Sequence, residues 1–162
     1  YKKKVIIDIK DNYYTLLNKI NKLVCKKLIR VLEDLSKGNA HLLKQDNSKA
    51  TYCYKIKKQD TYIRFNKSAQ EIFGQIRALC PSPGAKFYLQ GELIKVHEAK
   101  VENSSKFNKN YGVIVDNNLL ISCKRGFIRL LKIQREGRKV MQAKEVLNGW
   151  KLKTGLIINA EE

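Results

Sequence analysis

The chain has 162 residues, of which 43% are hydrophobic, and 33 Lys plus Arg against 15 Asp plus Glu give a formal net charge of +18. That is apolar material for a core of ordinary size, and the charge favours polyanionic partners, nucleic acid or an acidic membrane surface, with a merely solvated surface as the other reading. No apolar run approaches the roughly 18 residues of a membrane span, no signal peptide opens the chain, and four scattered cysteines with two histidines argue against a zinc site or a disulfide framework, which suits a reducing compartment.

Val5-Ile6-Ile7-Asp8-Ile9 is a short β-prone run. From Asp11 or Thr15 to Lys37, apolar residues at Leu17, Ile20, Val24, Leu28, Val31 and Leu35 recur in steps of three and four, so one long amphipathic helix is expected, with Gly38 as its terminator. A lone strand and a lone helix cannot enclose a core, since each needs a partner for its apolar face. Residues 45–60 have the mixed polarity of a linker. Within them Lys55, Lys57 and Lys58 lie beside Tyr52 and Tyr54, a grouping that suits phosphate contact with aromatic stacking as well as it suits a solvated linker.

Ser68-Ala69-Gln70-Glu71 is a Ser-x-x-Glu capping box, and Ala69, Ile72, Phe73, Ile76 and Leu79 follow at helical spacing until Pro81-Ser82-Pro83-Gly84 stops the helix. Beyond it the period changes to that of strands. Lys86-Phe87-Tyr88-Leu89 and Leu93-Ile94-Lys95-Val96 flank Gln90-Gly91-Glu92 as a hairpin. Residues 101–110 read as a flexible polar loop. Residues 112–115 and 119–122 form a second hairpin around Asp116-Asn117-Asn118, whose asparagines tolerate left-handed backbone, and residues 128–133 make a fifth strand. Residues 143–148 are a short helix ended by Gly149. Five short strands within roughly fifty residues fit a small closed barrel, of which the oligonucleotide-binding type is the commonest.

No catalytic constellation emerges from the residues. His41 and His97 lie in different segments, no Ser or Cys sits in a nucleophile elbow, no Gly-rich phosphate loop is present, and no carboxylate pair has a spacing for shared acid–base work. The cations say more. Gln134-Arg135-Glu136-Gly137-Arg138-Lys139 sets three of them around a glycine where the last strand ends, with Lys124, Arg125 and Arg129 nearby in sequence. Phosphate contacts of this sort supply affinity and position more than sequence readout.

These residues resemble a family. Ala50-Thr51-Tyr52, Lys55-Ile56, Asp60, Ile63, Ile76-Arg77-Ala78, Pro81 and Pro83-Gly84-Ala85 are similar to the linker and the start of the C-terminal domain of methionyl-tRNA formyltransferases. Gln134, Gly137-Arg138-Lys139, Met141, Ala143 and Leu147-Asn148-Gly149 are similar to that family's Gln-x-x-Gly-Lys-Lys-x-Met-x-Ala-x-x-x-Leu-Asn-Gly ending. Phe65 stands where the family usually has Trp, and Arg138 where it has Lys; both keep the chemical character.

The resemblance implies an α+β fold: a five-stranded oligonucleotide-binding-type barrel after a helix, preceded by a strand–helix remnant of a Rossmann-like α/β domain. Residues 1–44 would then end the catalytic domain, 45–60 would be the linker and 61–162 the barrel domain. The implied reaction moves a formyl group from the co-substrate 10-formyltetrahydrofolate to the amino group of methionine on initiator methionyl-tRNA, in a bacterial-type cytoplasm or an organellar matrix, with no metal and no membrane. The family's catalytic Asn, His and Asp find no counterpart here, so the chain by itself is expected to bind tRNA and to be inactive, a monomer or a partner of the missing N-terminal portion. Lys55, Lys57, Lys58, Arg77, Arg135, Arg138 and Lys139 are the expected tRNA contacts. A free-standing nucleic-acid-binding barrel without catalysis is the alternative. Related formyltransferases that act on amino sugars or oxidise formyl-folate have no need of such a positive field.

Overall fold

The computed structural model describes residues 2–158. The chain divides into two compact units, one up to Ile56 and one from Lys57 on.

In the first unit the long helix α1 spans Tyr13–Ser36. Asn12 caps it, accepting from the Thr15 amide at 2.9 Å while Thr15 Oγ1 accepts from the Asn12 amide at 2.9 Å, so two orphan donors of the first turn are satisfied. Gly38 closes the other end at φ 70°, the left-handed conformation that glycine adopts without Cβ strain. Asp11, 6% exposed, receives Thr15 Oγ1 and Lys19 Nζ. The expected strand at Val5–Ile9 does not form. Its backbone finds no ladder partner among the described residues, and all but Val5 of residues 2–9 are exposed. Residues 47–49 make a single 3₁₀ turn, capped by Asp46.

The second unit is built on a five-stranded antiparallel sheet. Its strands are β1 Ala85–Leu89, β2 Glu92–Phe107, β3 Leu120–Ser122, β4 Arg125–Arg135 and β5 Val140–Gln142, in the order β1-β2-β4-β3, with β5 also on β4. Helix α2, Ala69–Leu79, starts at Ser68 with the capping box the sequence announces and buries Ala69, Ile72, Ile76 and Leu79 against β1, β2 and β4. Helix α3, Ala143–Gly149, packs on β4 and β5. The core continues through Phe87, Ile94, Ile121, Ile128, Leu130 and Ile133, all fully or almost fully buried. Phe65 meets Phe87 edge to face at 5.6 Å, so the residue in the family's tryptophan position keeps an aromatic role in the core.

Three strand expectations change. Residues 101–110 are not a loop up to Phe107: β2 continues through them, tied to β4 at Val101, Glu102 and again at Phe107, with register shifts at Val96/Glu98 and Glu98/Ala99 and an irregular stretch between Glu102 and Phe107. Residues 112–115 make single bridges instead of a strand, because Ile114 is shared between Ile121 on one side and the segment at 155–157 on the other. The strand expected at 128–133 forms within the longer β4, and β5 is a further strand at residues to which the sequence pattern assigns no element. In the loop at 116–119 the left-handed residue is Leu119, φ 55°, and not an asparagine. Asp116 Oδ1 accepts from the amides of Asn118 and Leu120, which fixes that loop.

Candidate nucleic-acid interface

The expected cations fall into three environments. Lys57 and Lys58 stand exposed at a 3₁₀ turn, Lys58–Thr61, that is held rigidly. The Asp60 carboxylate accepts from the Lys57 amide at 2.7 Å, and Gln75 Nε2 of α2 donates to the carbonyls of Asp60 and Tyr62 at 2.8 and 3.0 Å. Lys55, also exposed, belongs to the first unit. Arg77, in the last turn of α2, lays its guanidinium over the Phe73 ring at 5.1 Å, where a cation is also favoured by the helix dipole.

The Gln134–Lys139 stretch folds as a tight β4–β5 connection. Gln134 Nε2 donates to the Arg138 carbonyl at 2.9 Å, its Oε1 meets His97 Nε2 at 3.2 Å, and Gly137 takes φ 66°. The side-chain amide thus holds the turn from inside, and Arg138 and Lys139 are displayed at its outer surface. Together with Gly137, Met141, Glu145, Val146 and Gly149 they line an open depression of about 550 Å³ between the turn and α3.

Arg135 borders the same depression but is engaged differently. It forms a bidentate pair with Glu92 at 2.6 to 3.0 Å and stacks on Trp150, 4.3 Å from the ring centre, while the indole N–H donates to Gln90. The Arg135 guanidinium, first of all, holds the Glu92 carboxyl below its usual range. This arginine clamps β2, β4 and the end of α3 together. Replacing it by lysine keeps the charge and loses the fork and the stack, so Arg135→Lys is expected to cost about 1–2 kcal/mol in urea unfolding.

Arg129 is tied more firmly still. Its guanidinium donates to both oxygens of Glu102 at 2.8 and 3.2 Å, to both of Asp116 at 3.3 and 2.9 Å, and to the Asn118 carbonyl at 3.0 Å. Lys100 adds a second cation 3.0 Å from Glu102, and Lys132 pairs with Glu98 at 2.7 Å. Much of the basic residue content of β4 is therefore spent inside the sheet surface. A group the sequence did not single out lies on the outer face of β1. Lys86 Nζ sits over Tyr62 at 4.8 Å, Tyr62 stacks on Tyr88 at 6.0 Å, and Lys95 is the cross-strand partner of Lys86. Lys86 and Tyr88 alternate with the buried Phe87 and Leu89, which is the signal that shows them on one face.

The buried thiols offer no nucleophile: burial pushes Cys123 up to about 12 and raises Cys80. Among the described residues no His/Cys/Asp/Glu group is arranged to hold a metal, and no helix is long and apolar enough to cross a membrane.

Comparison with known proteins matches residues 55–151 to the family described as "Formyl transferase, C-terminal domain". Curated relatives include the methionyl-tRNA formyltransferase of Natranaerobius thermophilus, 37% identical over 80% of this chain and 43% of that protein. The enzyme of the same name from Caldicellulosiruptor saccharolyticus is 36% identical over 94% of this chain and 50% of the relative. The chain spans about half the length of the curated relatives it matches. Among solved structures, an Aquifex aeolicus HypX variant superposes with a TM-score of 0.60 at 13% identity, covering 88% of this chain and 27% of that one. HypX in complex with tetrahydrofolic acid superposes at 0.54 and 13%, over 86% and 27%.

Proposed function

Since the chain belongs to the formyl transferase C-terminal domain family, we propose that it holds initiator methionyl-tRNA so that the amino group of its methionine can be formylated. The observation that carries this reading is the sorting of cations in the second unit. Arg129, Arg135 and Lys132 are consumed by carboxylates, whereas Lys57, Lys58, Arg138 and Lys139 are presented outward on turns fixed by Asp60, Gln75 and Gln134. Mounting exposed cations on turns whose backbones are fixed lowers the ordering cost of each phosphate contact.

On this reading residues 1–44 close the catalytic domain, 45–60 link it to the rest, and 61–162 form an oligonucleotide-binding-type barrel. The irregular register of β2 on β4 supports the barrel, because bulges bend strands in the way a closing sheet requires. The formyl donor is 10-formyltetrahydrofolate, bound outside the described residues, and the reaction runs in the cytoplasm. The contribution of this chain is positional. Phosphate contacts bring the reacting end of the tRNA to a fixed place and make the transfer effectively unimolecular. Lys55 and Arg77 complete the proposed contacts, Lys55 from the linker and Arg77 from α2; Arg135 is reassigned to the scaffold.

The test is a titration of the chain with initiator and elongator tRNA between about 50 and 200 mM salt, where several phosphate contacts change affinity by orders of magnitude. Arg138→Gln with Lys139→Gln is expected to weaken binding about tenfold or more and to lower the salt slope by about 2. Preference for the initiator tRNA supports the formyltransferase role. Equal binding of every RNA would favour a free-standing RNA-binding module, and a flat slope with negligible binding would overturn the reading altogether.

A further inference from the structure

The lysines of α1 have no part in the function so far. Lys19, Lys22 and Lys26 are spaced i, i+3 and i+7 and so share one face of the helix, in a row about 10 Å long. With Lys27, and with Lys3 from the preceding segment, they surround a depression of about 350 Å³ in which Leu23 is the one uncharged lining residue. Asp11 partners Lys19 at 2.6 Å. For the rest, the helical neighbours work against them.

At three and four residues' distance Lys22 has Asn18, Lys19, Cys25 and Lys26, and Lys26 has Lys22, Leu23, Ile29 and Arg30. Lys22 and Lys26 thus repel each other with no carboxylate at helical spacing, and the acids of α1, Glu33 and Asp34, occupy the last turn, where the helix dipole disfavours them. The helix carries a charge pattern that lowers its own stability. Local arrangements that oppose the fold mark functional surfaces more often than structural ones.

We propose that this lysine face of α1 is a second RNA-binding surface that contacts the phosphate backbone; the inference rests on the tRNA-holding role given above. An anionic membrane is the other polyanion a basic amphipathic helix fits. RNA is favoured because Leu23 is the single apolar side chain in the lysine-lined depression, so this face offers charge with little apolar surface for a bilayer to take up.

Lys22→Gln with Lys26→Gln, made in the full chain, keeps helix propensity and removes the repulsion, so circular dichroism should show α1 intact or firmer. Binding to initiator tRNA is expected to weaken about tenfold, and the salt slope to fall by about 2. An unchanged slope, with the Arg138/Lys139 variant still impaired, would overturn this inference and leave the tRNA-holding role standing. No tRNA binding by the wild-type chain would sink both. Lysine-dependent binding to phosphatidylserine vesicles with no change in tRNA affinity would assign the face to a membrane and overturn the inference as well.

Discussion

Replacing Arg129 by leucine is expected to destabilise the second unit by about 2–3 kcal/mol at neutral pH, read as a lower urea midpoint with an unchanged slope. The guanidinium, 19% exposed, closes five hydrogen bonds between β2, β4 and the loop at 116–119. Without it two partly buried carboxylates face each other across β4. Lys100 still serves Glu102, and the amides of Asn118 and Leu120 still serve Asp116, which keeps the loss below that of a fully buried pair. The pH dependence separates this account from simple loss of packing. Arg129 foremost, then Lys100, brings the Glu102 carboxyl from an ordinary 4.5 down to about 2. For Asp116, burial pushes upward most, yet hydrogen bonds from Arg129 and the two amides hold it below its usual value. Both carboxyls are depressed in the folded state, so their stabilisation is complete above the unfolded value and is lost as pH falls through the folded one. The gap between wild type and Arg129→Leu should therefore narrow on acidification below about 4.5. A gap that stays constant with pH would mean that the leucine acts through shape alone.

A second loss, larger in free energy, is expected at Phe87. Its ring is fully buried beneath α2 and meets Phe65 edge to face. Phe87→Ala removes most of that contact area and leaves a cavity, at about 3–5 kcal/mol. Against a total of about 5–15 kcal/mol, this takes a large share of the stability of the unit. Phe87→Leu should cost clearly less, because it retains most of the volume. The same denaturation experiment decides it: equal midpoints for the two variants would show that the site collapses around the alanine and that Phe87 is no keystone of the core. RNA binding by Phe87→Ala should fall only in proportion to the unfolded fraction.

Helices were readable from local chemistry. The steps of three and four in α1 and α2, the Ser68–Glu71 box, the glycine after α1 and the glycine at the end of α3 depend on neighbours within one turn, and all three helices lie within two residues of their expected bounds. The end of β2 was not readable, since Glu102, Asn103, Ser105 and Lys106 carry no alternation, and β2 is tied to β4 there only at Glu102↔Phe127 and Phe107↔Arg125, with Asn103 at φ 45° in the irregular stretch between. Val113 and Ile114 failed in the opposite way: they look like a strand but are divided between two partners. The surface cations divide on the same principle. Arg138 and Lys139 could be singled out from a glycine turn, but the engagement of Arg135 depends on Glu92, 43 residues away, and on Trp150, which only the folded chain brings beneath it. Arg129 likewise finds its acids 13 and 27 residues away. Sequence shows where charge is; topology decides which of it is left over for a ligand.

The irregular segments beside the outer strands have a bearing on how copies of this chain meet. A sheet that ends in bare strands offers a row of open amides and carbonyls to any neighbour, and a crowded solution of such molecules assembles edge to edge. Here Ile63 donates to the Lys86 carbonyl on the rim of β1, and residues 112–115 exchange bonds with Leu120 and Ser122 along β3 while the stretch at 155–158 closes over them in turn. The remaining rim, β5, is three residues long and runs straight into α3. Short stretches that look like failed strands act as a selvedge. They keep each molecule from templating the next.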